Sequence, residues 1–280
     1  ISDYDLEQCI VYNDTDSSYI SIEPLIESGV IKKWDGKVVG EDTYDKIQEI
    51  EDYLNEHIND WARKSLLTND SRFIFKRECI ADVGVFLQKK RYVMHILDDE
   101  GIKEDKFKYT GVEVVRTTMP NSIKPYARQI IETMLTTKSL KDTNKLLNET
   151  YDIFKTLSPE ELSFVMGVKN YEKYASACNE FNISKGTPIH VKSAYYYNMM
   201  LEKLNTGNKY EEISSGDKVR YMYVQQPNKY GVDTIGFKYS YPEEFADIFK
   251  PDYEKMFAKI LFEAVKRFYD NVGWVIRKPS

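Results

Sequence analysis

The chain has 280 residues, 42% hydrophobic and 14% aromatic, which is enough apolar material for a sizeable core in one large domain or two smaller ones. Charged residues make up 30%, no apolar run approaches the roughly 20 residues of a membrane helix, and the opening ISDYDLEQ is acidic where a secretory signal would be basic. The net charge of -6 argues against a uniformly basic nucleic-acid binder, so the question becomes where the charge sits.

In chain order, Ile10, Val11 and Tyr12 predict a strand, Asn13 to Asp16 a turn, and Tyr19, Ile20 and Ile22 a returning strand. From Asp42, read as a cap, Tyr44, Ile47, Ile50, Leu54, Ile58 and Trp61 recur at helical spacing and predict a long amphipathic helix. RFIFKRECIADVGVFLQKKRYVMHIL, rich in β-branched and aromatic residues, reads as two strands turning near Gly84, and Lys108 to Pro120 reads as another extended segment. Beyond Pro120 the period becomes helical. Ile123, Tyr126, Ile130 and Met134 mark one helix, and Leu140, Leu147, Tyr151 and Phe154 a second. Ser158-Pro-Glu-Glu carries a helix-start signature. His190 to Leu204 and Asp252 to Tyr269 are further helices, with an alternating strand at Val219, Tyr221 and Tyr223 between them. A subdomain boundary is expected between Gly111 and Pro120.

Cys9, Cys79 and Cys178 are odd in number and far apart, which disfavours a disulfide framework, favours a reducing compartment, and reads as small buried apolar residues. His57, His95 and His190 are equally scattered, so no His/Cys zinc pattern is present. His190 reads as a structural hydrogen-bonder. Tyr195, Tyr196 and Tyr197 point in different directions at helical spacing, so at least one should pack into a core instead of stacking on bases. Basic residues concentrate between Ser71 and Tyr92, where Arg72, Lys76, Arg77, Lys89, Lys90 and Arg91 face only Glu78 and Asp82. This is either a phosphate-facing strip or a strand edge protected by lysine.

The turn Asn13-Asp14-Thr15-Asp16 poses the sharpest chemical question. Strand residues two apart project to one face with Cα atoms roughly 6.5 Å apart, so Asp14 and Asp16 would repel each other unless something positive lies beside them. One reading is a turn using Asx side chains for backbone hydrogen bonds. The other is a magnesium site, because hard divalent cations prefer carboxylate oxygens and keep water and phosphate as further ligands.

Tyr12-Asn13-Asp14-Thr15-Asp16-Ser17 resembles the YGDTDS signature of family B DNA polymerases. Lys89-Lys90-Arg91-Tyr92 matches the same family's KKRY element, and Lys76 to Ala81 resembles the strand that bears its third active-site carboxylate. Lys106-x-Lys108-x-x-Gly111-x-Glu113, with Arg116 and Pro120, looks like the passage from palm to thumb. HVKSAYYYNMMLEK and DYEKMFAKILFEAVKRF look like the thumb of T-even-type phage polymerases. Asn13 stands where the family usually has Gly, and Asn tolerates positive φ.

The resemblance implies an α+β fold: residues 1–115 as the C-terminal part of a palm, an antiparallel sheet with a helix, and residues 116–280 as a mainly helical thumb. It implies two-metal nucleotidyl transfer with Mg2+, in which Asp16 is the direct metal ligand, Asp14 shapes the site and its field, and Glu78 is an accessory carboxylate. Lys90 and Tyr92 would meet the primer near its end, and Lys89, Arg91, Lys108 and Arg116 would contact the duplex. The upstream motifs DxxSLYP and KxxxNSxYG do not occur, so the chain is expected to be a C-terminal polymerase portion, inactive alone. Implied partners are primer-template DNA, dNTP and the N-terminal polymerase part, with a sliding clamp left open, in the cytoplasm of a phage-infected cell and with no membrane. The alternative is a non-catalytic duplex DNA-binding module.

Overall fold

The computed structural model describes residues 9–29, 31, 41–68 and 73–279. The chain divides into two compact units, Ile1–Thr110 and Gly111–Ser280, so that residues 111–115 fall in the second. Among the described residues no helix is long and apolar enough to cross a membrane.

The first unit opens with β1 (Ile10–Asp14) and β2 (Ser17–Ile20), paired antiparallel with Tyr12 opposite Tyr19 and Asp14 opposite Ser17. Ile22, expected in the returning strand, instead caps the short helix α1 (Glu23–Glu27). Helix α2 (Glu41–Ser65) starts one residue ahead of the expected cap. Ile50 of α2 is buried with Leu25 and Ile31, and Leu54 packs on the same cluster beside Ile20, Ile22 and Ile26. Trp61, predicted on the core-facing stripe, is 50% exposed, while Ala62 beside it is fully buried. Periodicity tells which residues share a helix face, but not which neighbour covers that face along its length.

Strands β3 (Cys79–Gln88), β4 (Arg91–Asp99) and β5 (Ile102–Thr110) form an antiparallel meander. β3 runs straight through Gly84, and the turn falls at Lys89-Lys90 instead. Gly84 is small because Met94 lies opposite: an added Cβ would sit 3.1 Å from the Met94 Cγ. The expected extended segment from Lys108 to Pro120 is extended only to Thr110, where β5 ends, and then tightens into a single turn at Glu113–Val115. The earlier half of β5 escaped the sequence reading because its polar residues face solvent.

Tyr92, Met94 and Ile96 are buried on one face of this sheet, with Cys79 and Phe86 beside them and Tyr12 and Tyr19 of the β1–β2 hairpin packed against them. The acidic hairpin therefore lies on the sheet. On the opposite face His95 stacks on Phe107 and bonds Asp82 at 2.8 Å and Asp105 at 2.7 Å. Asp98, 1% exposed, collects Tyr44 of α2, Gly101 of the β4–β5 turn and Arg77 of the segment before β3.

The second unit pairs α3 (Lys124–Thr137) with α4 (Leu140–Phe154) through a left-handed Lys138 and a Ser139 cap. α5 (Pro159–Leu162) has the full capping box that Ser158 and Glu161 foretold, yet it lasts one turn. β6 (Phe164–Gly167), α6 (Tyr171–Ala175), α7 (Ile189–Lys203), β7 (Lys218–Tyr223) and β8 (Thr234–Phe237) follow. The order β6-β7-β8 makes a 3-stranded antiparallel sheet, so this unit is less purely helical than expected. β6 and β8 are too short to show a period. α7 lies close on β8: Ser193 Oγ meets Thr234 Oγ1 at 2.7 Å, and a Cβ on Gly236 would come within 2.7 Å of the Ser193 carbonyl oxygen. Tyr196 and Tyr197 are buried, as their spacing required. α8 (Tyr253–Phe257), capped by Asp252, continues through a π-helical turn at Ala258–Phe262 into α9 (Glu263–Asn271).

Two small expectations fail. Only Cys9 is fully buried, with Cys79 and Cys178 half-buried, and all are free thiols. His190 makes no side-chain hydrogen bond to the described residues; burial alone lowers its pKa.

Candidate functional site

The β1–β2 turn consists of Thr15 and Asp16, and its positive φ belongs to Thr15, at 45°, not to Asn13, which lies in β1 opposite Ser18. Glycine is the residue that adopts this conformation freely; a β-branched Thr there stores strain on the order of 1–3 kcal/mol, a feature that concentrates at functional sites. Because Asp14 ends a strand and Asp16 belongs to the turn, the period-two rule that would aim both carboxylates together does not apply to this pair.

The two carboxylates are unequal. Asp14 has a side chain 21% exposed, 3.6 Å from Lys90 Nζ, and accepts a long hydrogen bond from the Thr15 hydroxyl at 3.3 Å. The Asp16 carboxylate is exposed and has no hydrogen-bond or ion-pair partner among the described residues. Neither carboxylate takes a backbone N–H from the described residues, so the turn is not held by Asx hydrogen bonds. Its backbone closure comes from the Asp16 N–H donating to the Asp14 carbonyl.

An aromatic cluster seats this turn. Tyr12 lies 5.4, 5.6 and 6.2 Å, centroid to centroid, from Tyr19, Phe86 and Tyr92. The Tyr19 and Tyr92 hydroxyls meet at 2.7 Å, and burial together with this bond raises the Tyr19 pKa. Each well-placed aromatic pair adds about 0.5–1.5 kcal/mol beyond the area it buries. Tyr92, expected at the primer end, is only 7% exposed and has its hydroxyl engaged, so its visible work is to hold the hairpin on the sheet. Tyr12 was not singled out from the sequence; its hydroxyl accepts the Lys90 backbone N–H at 2.8 Å. The signal that could have found it is that Tyr12 and Tyr19 flank the carboxylates at matching strand positions.

Lys89 and Lys90 form the β3–β4 turn and are exposed, Lys89 with no partner among the described residues. Arg91 opens β4 half-buried; with the Gln88 amide oxygen turned toward it, it donates at 3.0 and 3.1 Å. Of the expected basic strip, one member is engaged elsewhere. Arg77 is committed inside the protein to Asp98 and lies over the Tyr44 ring, and Arg72 lies outside the described residues. Glu78 sits just before β3, exposed, and pairs with Lys108 of β5 at 3.1 Å. Lys108 is partly desolvated, which would lower its pKa, but the bond to Glu78 outweighs this and raises it. Burial pushes the pKa of the half-buried Cys79 thiol up. Arg116 belongs to the second unit, where it donates to the Gly111 carbonyl at 3.3 Å and lies 3.8 Å from Glu113.

Among the described residues no group of three or more His, Cys, Asp or Glu converges as a metal cluster. Magnesium commonly takes only one or two carboxylates, completing its octahedron with water and substrate phosphate. An exposed Asp16 carboxylate, without a partner among the described residues, next to a half-buried Asp14 fits that smaller donor set.

An α+β chain with antiparallel sheets, an acidic turn seated on one of them and a dilysine turn alongside is what the comparisons with known proteins must account for. A family model described as DNA polymerase family B matches residues 38–272. The chain belongs to this family. It is 23% identical over 268 residues to the DNA-directed DNA polymerase of Escherichia phage RB69, an alignment covering 88% of this chain and 28% of that protein. It is 25% identical over 236 residues to the DNA polymerase of Choristoneura biennis entomopoxvirus, covering 80% of this chain and 22% of the relative. The chain thus spans less than a third of the length of either relative. The family match begins beyond the hairpin, so the role of the hairpin rests on its hexapeptide and its geometry.

Proposed function

We propose that the first unit is the C-terminal part of a polymerase palm and the second a thumb, and that together they contribute a magnesium-binding carboxylate and a grip on primer-template DNA to template-directed nucleotidyl transfer. The observation that carries this is Asp16: a carboxylate at the tip of a strained turn, without a side-chain partner among the described residues, on a hairpin packed against the sheet that carries the exposed dilysine turn. A magnesium ion there would stabilise charge on the transferring phosphoryl group and its leaving pyrophosphate. Asp16 binds it directly. Asp14 adds field from a less exposed position, and the aromatic cluster keeps both from moving away from the sheet. Glu78 is tied to Lys108, so it acts as a screened accessory charge. Lys89, Lys90 and Arg91 contact the phosphate backbone of the duplex, as does Arg116 from the thumb, in a salt-sensitive and sequence-independent manner.

In this reading the second metal-binding aspartate comes from a further polymerase part, because the sequence contains no DxxSLYP motif. The test is primer extension by the 280-residue chain alone and with that part added in trans. We expect extension only in the mixture, abolished by Asp16→Ala, while the melting temperature of Asp16→Ala without divalent ions is unchanged or slightly raised. Extension that survives Asp16→Ala, with clear destabilisation of the variant, would make the hairpin carboxylates structural. Salt-sensitive duplex binding with no extension in any mixture would leave the duplex-binding module as the function.

A further inference from the structure

Tyr12 precedes Asp14 by one strand repeat, yet its hydroxyl bonds neither hairpin carboxylate. It accepts the backbone N–H of Lys90 at 2.8 Å, across the gap between the hairpin and the β3–β4 turn. Lys90 has a φ of 60°, a left-handed conformation that a non-glycine residue keeps only when its surroundings impose it. From this backbone position its Nζ reaches to 3.6 Å from Asp14 Oδ2, although the side chain is 65% exposed and has a wide solvent cone open to it. The ring of Tyr12 is fixed in turn by Tyr19, Phe86 and Tyr92. A rigid phenol, a left-handed turn and an ammonium thus act in series on one carboxylate.

We propose that Tyr12 is a positioning residue that holds the dilysine turn against the acidic hairpin, making the Lys90 ammonium the resident counter-cation of Asp14 and a competitor of the divalent cation for that carboxylate. The inference rests on the hairpin being the metal site. It answers why two like charges persist two residues apart: Asp14 is countered from within the fold, and the Asp16 carboxylate is left open among the described residues. A cation arriving at Asp16 shares Asp14 with the ammonium or displaces it, and a displaced Lys90 is then free to pair with a phosphate. Loading the site with metal and gripping the nucleic acid are therefore coupled through one lysine.

Exposed ion pairs of this kind shift the affinity of a competing cation about two- to fivefold. The experiment titrates Mn2+ into the 280-residue chain and reads the free ion by electron paramagnetic resonance. Asp14→Asn and Asp16→Asn locate the ion. Lys90→Met and Tyr12→Phe should each tighten Mn2+ binding by about two- to fivefold, and the double variant by no more than the stronger single one, because both remove the same restraint. Lys90→Arg should behave as the parent. Tyr12→Phe keeps the ring in its cluster and should also speed exchange of the Lys90 amide with the melting temperature little changed, which separates a lost positioning bond from a damaged fold. If Mn2+ affinity is the same in Lys90→Met, Tyr12→Phe and the parent, while Asp14→Asn and Asp16→Asn still weaken it, the counter-cation role is overturned and the metal site stands. If neither aspartate substitution alters Mn2+ binding, both readings fall.

Discussion

Replacing Asp98 by Ala removes the acceptor at which three parts of the first unit meet. The carboxylate takes the Tyr44 hydroxyl at 2.9 Å and the Gly101 N–H at 3.0 Å, and forms an ion pair with Arg77. Breaking a buried pair by deleting one partner costs about 3–5 kcal/mol. The Arg77 side chain is 22% exposed and can recover some hydration, which places the expectation near the low end, about 3 kcal/mol with the two orphaned donors included. Burial by itself would raise the Asp98 pKa, but the bonds from Gly101, Tyr44 and Arg77 outweigh it and hold it below the ordinary aspartate value. A depressed folded value means that the stabilisation is complete above the unfolded value of about 3.9 and is lost as pH falls through the folded one. The assay is urea unfolding of parent and Asp98→Ala at neutral pH and at steps below about pH 4, with amide exchange in β3 and β4 reporting on the first unit by itself. The gap between the two proteins should be widest at neutral pH and narrow in acid. A neutral-pH loss under about 1 kcal/mol, or a gap that ignores pH, would refute the claim that this carboxylate ties α2, the segment before β3 and the β4–β5 turn together.

Two further outcomes follow from the same kind of geometry. Burial would lower the His95 pKa, but the bonds to Asp105 and Asp82 outweigh it and raise it, so its stabilisation is full below the ordinary value of about 6.5 and is lost as pH rises through the folded value; melting of the parent relative to His95→Gln should fall as pH is raised above about 6.5, and a constant difference would sink the idea. Gly236→Ala would drive a methyl to within 2.7 Å of the Ser193 carbonyl oxygen and 2.9 Å of its carbon, backbone that cannot swing aside, so urea unfolding should show a loss of about 2–3 kcal/mol, and a neutral result would mean that α7 does not approach β8 so closely.

Local chemistry accounts for what could be read in advance. The β1–β2 hairpin, α2, α3, α4, α7 and the Ser158 capping box are each specified by residues a few positions apart, and so are the hexapeptide and the KKRY run that resemble family B polymerases. The burial of Tyr196 and Tyr197 follows from helical spacing by the same logic. What the sequence could not disclose is where each side chain spends its polar atoms. Arg77 looked like a member of a phosphate-facing strip until Asp98, 21 residues away, claimed it. Lys108 looked free for DNA and is held by Glu78, 30 residues away, while Tyr12 looked like a strand residue and bonds a lysine 78 residues away. The turn expected at Gly84 moved to Lys89-Lys90 because a glycine reads locally as a break, whereas here it makes room for Met94 across the sheet. Hydrophobic period and turn chemistry act over a few residues of chain, so they set the elements. Ion pairs, phenol bonds and close backbone approaches act through space between segments that only the packed sheet brings together, so only the tertiary structure could decide that, among the described residues, Asp14 is countered and the Asp16 carboxylate left open.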